Sequence, residues 1–259
     1  MGNSSHAEGY KTKATGDYSH VEGYGVEAWG EASHIEGRSK RTYDSAMKEA
    51  NMTIDSSDPK YRTDEHIMEV FEKKRFSLAK GDYSHVEGVY NLGLGIRSHA
   101  EGSNTIAKGE QSHTEGYLTV AKGANSHAEG NANEAWGVES HIEGYSGKTY
   151  DTAMIDAGKV VEKTDPKYGT DEHIMEVFEV NRFSLAKGDR SHVEGQQNLA
   201  LAKYTHAEGL NNIAKGESSH AEGGYTKAIG NNSHTEGSET YGVGKNSHAE
   251  GLKTTAKGD

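Results

Sequence analysis

The chain contains no cysteine and only 2 prolines in 259 residues. It therefore has no disulfide bridges, and the lack of cysteine is compatible with an extracellular or virion fibre as well as with a cytosolic protein. Hydrophobic residues make up only 32% of the sequence, so a large conventional apolar core is not available. No apolar run approaches the roughly 18 residues that a membrane span requires, and we expect no membrane insertion.

Acidic residues outnumber basic ones by 40 to 28, and the formal net charge is −12. Because Lys108, Lys122, Lys187 and Lys215 are isolated rather than grouped in a basic groove, we expect no binding to nucleic acid. The sequence also lacks the Gly-x-Ser-x-Gly motif, a phosphate-binding loop with its lysine, and the His-Glu-x-x-His motif. We therefore expect a protein without enzymatic activity and without a cofactor.

One pentapeptide, Ser-His-x-Glu-Gly, occurs thirteen times, with Thr205 in place of serine in one copy. The copies lie almost always fourteen residues apart, but His34 to His85 and His141 to His192 are each separated by 51 residues. A fixed period of this kind is the signature of a repeat architecture. Thirteen equivalent histidines also argue against catalysis, because a catalytic group needs one distinct environment.

Each fourteen-residue unit divides into two halves of seven that follow [Ser/Thr/Asn]-x-Ala-x-Gly-x-x, as in the stretch from Ser5 to Tyr18. Alternation that ends in glycine is typical of a short strand followed by a turn. Each unit is therefore predicted to contain two strands and two corners, and each strand to pair with the equivalent strand one unit further on. The sequence predicts an all-β solenoid, a parallel β-roll with fourteen-residue rungs.

Alternation also predicts which side chains point outwards. The small first and third residues of each half, such as Ser5 and Ala7, should point into the roll, while His and Glu share the outer face of one sheet. We expect each imidazole to donate a hydrogen bond to a glutamate of the same or an adjacent rung or chain and so to offset repulsion within the carboxylate column. The predicted ladder comprises His6, Glu8, His20, Glu22, His34, Glu36, His85, Glu87, His127, Glu129, His141, Glu143, His192, Glu194, His206, Glu208, His220, Glu222, His234, Glu236, His248 and Glu250.

A divalent-metal ladder is the alternative interpretation of these columns, because imidazole and carboxylate are both metal ligands. The candidate ligands are His99, Glu101, His113 and Glu115. Metal sites rarely need thirteen copies, and the motif itself lacks a compact triad of ligands. The sequence therefore favours a structural role for the columns, without bound metal.

The second sheet is predicted to carry outward apolar side chains. A core of alanine methyls and hydroxyls contributes about 0.8 kcal/mol per buried methyl-sized group, against about 1 to 2 kcal/mol of backbone entropy per ordered residue. One chain alone is therefore under-stabilised, and because an apolar stripe normally marks an interface, we expect chains to associate side by side. The predicted trimer interface comprises Trp29, Leu92, Leu94, Ile106, Trp136, Leu199, Leu201, Ile213, Tyr241 and Val243.

The repeat halves, such as residues 126–130 (Ser-His-Ala-Glu-Gly) and 105–109 (Thr-Ile-Ala-Lys-Gly), resemble the YadA-like head repeats of trimeric autotransporter adhesins. The Ser-His-Ala-Glu-Gly form is similar to that of phage and prophage tail-fibre-like proteins. The resemblance covers about 180 of 259 residues. It implies a left-handed roll, a homotrimer and a role as an adhesin head or tail-fibre segment. The chain departs from the adhesin pattern because no signal peptide, neck, coiled-coil stalk or membrane anchor is recognisable.

Two excursions interrupt the predicted roll, at residues 38–76 and 145–183. The rungs then occupy residues 1–37, 77–144 and 184–259, which we expect to form one continuous solenoid domain. The two excursions are copies of each other, because the ten residues from Thr63 to Glu72 recur unchanged at an offset of 107.

Each excursion is predicted to be a helical hairpin. Thr63, followed by two acidic residues, is a typical helix N-cap. Shorter first helices are predicted from Tyr43 to about Ile54 and from Tyr150 to about Val161. We expect the hairpins to clamp onto a neighbouring roll, with receptor contact as the alternative. The predicted packing residues are Ile67, Val70, Phe71, Ile174, Val177 and Phe178.

These features predict a non-enzymatic fibre segment, extracellular or on a virion, that acts as a rigid spacer. A glycan or protein receptor on a host surface is the candidate for a further partner. Tyr10, Tyr24, Tyr117 and Tyr145 suit sugar stacking, and ordinary packing at the corners is an equal interpretation of them. The alternative is a self-assembling filament of rods stacked end to end, because the ends of a solenoid expose strand edges.

Overall fold

The computed structural model describes residues 1–258 and divides the chain into two compact units, Met1–Tyr117 and the residues from Leu118 onwards. Both units are predominantly β, with two short helices each. The predicted β-solenoid class is confirmed at this level, whereas one continuous domain over the whole chain stays a prediction. None of the helices described within residues 1–258 is long and apolar enough to cross a membrane.

The first unit alternates five-residue strands with shorter ones, and its two helices lie between the fifth and sixth strands. In chain order its elements are β1 (His6–Tyr10), β2 (Lys13–Ala14), β3 (His20–Tyr24), β4 (Val26–Ala28), β5 (His34–Arg38), α1 (Tyr43–Glu49), α2 (Asp64–Lys73), β6 (Ser77–Ala79), β7 (His85–Val89), β8 (Leu92–Gly93), β9 (His99–Ser103), β10 (Ile106–Ala107) and β11 (His113–Tyr117).

The second unit repeats this alternation. Its elements are β12 (Val120–Ala121), β13 (His127–Asn131), β14 (Glu134–Ala135), β15 (His141–Tyr145), α3 (Tyr150–Asp156), α4 (Asp171–Val180), β16 (Leu185–Ala186), β17 (His192–Gln196), β18 (Leu199–Ala200), β19 (His206–Leu210), β20 (Ile213–Ala214), β21 (His220–Gly224), β22 (Lys227–Ala228), β23 (His234–Ser238), β24 (Tyr241–Gly242), β25 (His248–Leu252) and β26 (Thr255–Ala256).

Each unit contains two parallel sheets. One, the His-Glu sheet, is made of the five-residue strands, and the other, the short-strand sheet, is made of the strands between them. Equivalent residues of successive rungs pair with each other, as His6 does with His20. An excursion does not shift this register, because His34 pairs with His85 across the first one, and the second behaves in the same way. The predicted stacking of rungs is therefore confirmed within each unit.

Glycine is required at the end of each pentapeptide because the backbone there has a positive φ. Gly223 has φ of +106°, and a Cβ added to it would lie 2.1 Å from the carbonyl oxygen of Gly237 in the next rung. No other residue type fits this combination of dihedral and close approach. Non-glycine corners, such as Asn104 and Asn125, have φ near +57° in the left-handed region that asparagine tolerates.

The interior of the roll is narrow and is filled by small side chains. Buried hydroxyls bond to the backbone, as where Ser126 Oγ donates to the carbonyl of Gly123 at 2.6 Å. Asn198 Nδ2 donates to the carbonyls of Glu194 and Gly209 in adjacent rungs, at 2.6 and 2.8 Å. In the second unit the buried apolar column comprises Ala121, Ala128, Ala135, Ile142, Ala186, Val193, Ala200, Ala207, Ala214, Ala221 and Ala228.

The helices of the excursions begin where the sequence predicts. The hydroxyl of Thr63 accepts from the backbone N–H of His66, which confirms the N-cap of α2. The first helices are shorter than predicted, however, because α1 ends at Glu49 and α3 at Asp156. Asn51 and Gly158, just beyond these ends, have positive φ, and a left-handed residue there terminates a helix.

The helices of the second unit pack on the outer face of that unit's own short-strand sheet, so the predicted clamp onto a neighbouring roll is corrected. The helix residues Ile174, Val177 and Phe178 are fully buried. They share one apolar cluster with the strand residues Leu185, Leu199, Leu201 and Ile213. This cluster is a conventional core that the predicted roll did not include. It supplies much of the apolar burial that the sequence interpretation assigned to other chains.

The predicted trimer interface is wrong for most of its residues. Leu92, Leu94, Ile106, Leu199, Leu201 and Ile213 are all buried within the single chain. Trp29 and Trp136 are partly buried and pack edge-on against Tyr43 and Tyr150 of the helices. Tyr241 is partly buried, and Val243 alone of the set stays 50% exposed.

The glycine requirement can be tested with two adjacent residues. We expect Gly223→Ala to lower the free energy of unfolding by about 3 kcal/mol or more, because it combines a strained φ with a steric clash. Gly224→Ala is the matched control, because an added Cβ meets nothing within 4 Å there, and it should change stability by less than about 0.5 kcal/mol. Urea unfolding of both variants measures this, and equal effects would contradict the explanation.

The core formed by the helices can be tested with two valines of α4. Val177 is fully buried, whereas Val180 is 67% exposed. We expect Val177→Ala to cost about 2 kcal/mol through lost burial and a residual cavity. Val180→Ala should be within about 0.5 kcal/mol of the parent protein. Chemical unfolding gives both free energies. An unchanged free energy of unfolding in Val177→Ala would show that the helix does not pack on the sheet.

Candidate functional site

The most regular surface feature is the pair of His and Glu columns on the outer face of the His-Glu sheet. In the first unit the ring centroids of His34 and His85 lie 4.8 Å apart with an angle of 20° between the planes. In the second unit His192 and His206 stack at 4.8 Å and 10°. The structure thus places the ladder residues in columns at the strand spacing. Some neighbouring imidazole rings stack face to face, whereas others are tilted, as His85 and His99 are by 40°, or edge-on, as His234 and His248 are at 73°.

The imidazoles and glutamates of one rung lie within ion-pair range but beyond good hydrogen-bonding distance. His6 Nε2 is 3.6 Å from Glu8 Oε2, and His85 Nε2 is 4.0 Å from Glu87 Oε2. The predicted imidazole-to-carboxylate hydrogen bond is therefore not formed in these rungs. Each ring instead lies within 5.0 Å of its neighbours in the column of its unit.

Stacking has an electrostatic consequence for the histidines. Burial between neighbours lowers the pKa of His34 and His85, and the adjacent imidazoles lower it further. Glutamates of the same and adjacent rungs, such as Glu36 and Glu87, oppose this effect and raise the pKa. Since burial and like charges dominate, the column holds these imidazoles in the neutral form at neutral pH.

The metal-ligand candidates do not converge where the sequence analysis placed them. The rings of His99 and His113 stack at 4.6 Å, and His99 Nε2 lies 3.8 Å from Glu101 Oε2. Within residues 1–258, the three side chains whose ligand atoms do come together are those of His206, Glu208 and His220, within 4.8 Å of one another.

A second cluster of polar groups joins each excursion to its sheet. The buried carboxylate of Glu27 accepts from the backbone N–H of Tyr43, the first residue of α1, at 2.9 Å, and it lies 3.6 Å from Lys13 Nζ. The positive end of a helix stabilises such a carboxylate. Burial raises the pKa of Glu27, and the helix N–H and Lys13 oppose the rise. In the second unit Glu134 accepts from Tyr150 at 2.8 Å in the same way.

Two further contacts fasten the second helix of each excursion. Asp64 at the start of α2 forms an ion pair with Lys80, and Asp171 of α4 does so with Lys187. The hydroxyl of Tyr43 lies 2.7 Å from His66 Nδ1, and burial raises the pKa of Tyr43 to about 12. These groups fix the hairpin on the roll.

The sequence analysis missed these docking residues, although the signal was present. The offset of 107 residues that relates the two excursions also relates Glu27 to Glu134, Trp29 to Trp136 and Lys80 to Lys187, all of which lie outside the excursions. A copied residue beyond the copied loop indicates that the loop contacts it. Extending the comparison outside residues 38–76 would have identified the surface on which the helices lie.

Exposed apolar side chains occupy the last position of several His-Glu strands. We call this set the strand-end stripe. Tyr10 and Tyr24 are 57% and 38% exposed, and their rings stack at 5.1 Å. The stripe in the first unit comprises Tyr10, Tyr24, Val89 and Tyr117, and in the second Tyr145, Leu210 and Leu252.

No protein-family model matches this chain, and no curated protein matches it with significant similarity. The resemblance to adhesin-head and tail-fibre repeats therefore remains an expectation drawn from the motifs.

The stacked histidines predict a loss of stability in acid. Folding lowers the pKa of His34 and His85, so the unfolded chain binds more protons and acid favours unfolding. The contribution is complete above about pH 6.5, the unfolded value, and is lost as the pH falls through the lower folded-state pKa values. Urea unfolding at pH values on either side of this window measures the slope.

A pair of variants locates the effect. His85 has a ring neighbour on both sides, His34 and His99, whereas His6 at the end of the column has one. We expect His85→Gln to flatten the pH dependence more than His6→Gln does. An unchanged slope in His85→Gln would show that the stacked column is not the cause.

Proposed function

We propose that the chain is a non-enzymatic structural fibre segment, a left-handed trimeric β-roll of the adhesin-head or phage tail-fibre type. It acts as a rigid spacer on a bacterial surface or a virion and presents a binding surface for a host glycan or protein. The observation that carries this proposal is the pairing of identical residues from rung to rung. A chain that repeats one surface many times is suited to spanning distance rather than to forming a single active site.

Backbone pairing gives such a segment its stiffness. Strands in the middle of a unit bond to their equivalents on both sides, and the asparagine side chains add bonds between rungs, as from Asn212 Nδ2 to the carbonyl of Gly223 at 2.8 Å. The register survives the excursions. These features support a spacer role, because bending would have to break many bonds together.

The association of three chains needs a surface that the helices leave open. The strand-end stripe supplies one, because its side chains are apolar and exposed and occupy the same strand position, in consecutive rungs at Tyr10 and Tyr24 and elsewhere in rungs separated by polar residues or glycine. A second chain in the same orientation presents the same side chains at the same spacing, so the match extends along the roll. In this proposal the stripe replaces the buried leucines and isoleucines as the trimer interface.

The excursions are the features suited to recognition. They are held firmly on the roll, yet Ile155, Val160 and Val180 remain well exposed on them. Loops and hairpins on a rigid scaffold commonly carry binding residues. A filament of rolls stacked end to end is the second candidate, and it is favoured by the exposed edge strands that any solenoid offers at its ends.

The oligomeric state tests the proposal directly. We expect sedimentation equilibrium to give three times the chain mass of 28.0 kDa over a wide concentration range. Replacing Tyr10 and Tyr24 by serine should shift the equilibrium towards monomer, because it removes apolar contact area from each interface. The control is the replacement of Tyr18 and Tyr83, which are also exposed but lie at the other corner.

A monomer at all concentrations would exclude the trimer, and a mass that grows with concentration would support the filament. Equal effects of the two tyrosine pairs would exclude the strand-end stripe as the interface.

A further inference from the structure

One group of side chains in the second unit is arranged differently from the rest of the columns. His206 and Glu208 are two positions apart on β19 and therefore lie on the same face of the sheet. His220 on β21 pairs directly with His206. Two adjacent strands thus bring two imidazoles and one carboxylate to the same patch of the His-Glu sheet.

The columns are tightest at this point. The ring centroids of His206 and His220 lie 4.5 Å apart, with 15° between the planes, whereas the other neighbouring histidine pairs described within each unit, stacked or tilted, lie at 4.6 to 5.0 Å. His206 Nε2 is 3.4 Å from Glu208 Oε2, the shortest of the described imidazole-to-glutamate separations within a rung. The ligand atoms of His206, Glu208 and His220 all lie within 4.8 Å of one another.

The Nε2 atoms of His206 and His220 are shielded from solvent and have no hydrogen-bond partner among the described residues. Other imidazoles of the column, such as those of His34 and His234, share this property. What distinguishes the pair is the carboxylate of Glu208, which lies within 4.8 Å of a ligand nitrogen of each ring. A shielded polar atom without a partner is unusual in a folded protein and needs a specific explanation. A bound cation would satisfy both nitrogens and the adjacent carboxylate together.

We propose that His206, Glu208 and His220 bind a divalent transition-metal ion of the zinc type. Two imidazoles and one carboxylate are ligands that Zn²⁺ accepts, with a water molecule in the fourth position on the open side of the sheet. Ca²⁺ and Mg²⁺ are disfavoured, because they prefer sites made of oxygen ligands alone. The absence of cysteine leaves imidazole as the preferred nitrogen or sulfur ligand in this chain.

Binding requires only a local adjustment. A tetrahedral ion holds its ligand atoms roughly 3.3 Å apart, so the rings of His206 and His220 must turn towards each other. Their side chains are about one-third exposed, which leaves room for this rotation without moving the strands. The ion would then cross-link two adjacent rungs, a role that does not depend on the number of chains in the assembly.

The test is a titration of the full-length protein with ZnCl₂, followed by isothermal calorimetry. We expect one site that is clearly tighter than any other. The double variant His206→Gln/His220→Gln should weaken that site by at least about tenfold, since loss even of residues that merely support a metal ligand costs that much. Glu208→Gln should weaken it as well. Excess MgCl₂ should not displace the zinc.

The matched control is His20→Gln/His34→Gln, which removes two adjacent imidazoles whose rings lie 4.9 Å apart and are tilted by 37°. It should retain the tight site. Circular dichroism confirms that all variants are folded. The proposal is overturned if the parent protein shows no tight zinc site, or if both double variants lose affinity equally, because the histidines would then bind metal without distinction.

Discussion

The constraint on which the rest of the structure depends is the close approach of equivalent backbones in successive rungs. A Cβ at Gly223 would lie 2.1 Å from the next rung's carbonyl oxygen, so glycine must recur wherever the chain turns in this way. Its recurrence fixes the period, and the period forces like residues to stand on like residues. The stacked imidazoles, the asparagine bonds between rungs and the strand-end stripe all follow from that one spacing. The columns of like side chains on the surface are therefore a consequence of the spacing between backbones of successive rungs.

Much of the roll could be predicted from the sequence because its rule is local. Alternation within five residues and glycine at the corner specify each strand, and the period of fourteen specifies its partner, so the pairing of His6 with His20 needed no long-range information. The N-cap at Thr63 could be predicted for the same reason. Prediction succeeded where a residue's neighbours along the chain, or one period away, determine its environment.

The position of the helices could not be predicted in that way. Leu199 and Ile213 look like an exposed stripe when the roll is considered alone, and neither the alternation nor the fourteen-residue period indicates that Phe178 and Val177 cover them. The one signal is the offset of 107 residues that Glu27 and Glu134 share with the excursions. An amphipathic helix specifies that it will bury one face, not against which surface. The convergence of His206, Glu208 and His220 could not be predicted from the sequence either, because thirteen equivalent motifs give no reason to prefer one. What distinguishes it is the convergence of three ligand atoms within 4.8 Å, together with a His-to-Glu separation of 3.4 Å, where the next shortest described is 3.6 Å.

Among the positions at which the two excursions differ, Arg62 and Gly169 bear on how the tryptophan beneath each hairpin is covered. In the first, the guanidinium of Arg62 lies 4.3 Å from the ring centroid of Trp29. The residue equivalent to Arg62 in the second copy is Gly169, and there Lys122 of the roll covers Trp136 at 3.8 Å, where the first copy has Thr15. One cation thus lies over each indole, but it comes from the hairpin in one copy and from the roll, just after β12, in the other. Both copies therefore have a cation over the tryptophan ring, although different residues supply it. An arginine introduced at position 169 would find the ring of Trp136 already covered by Lys122.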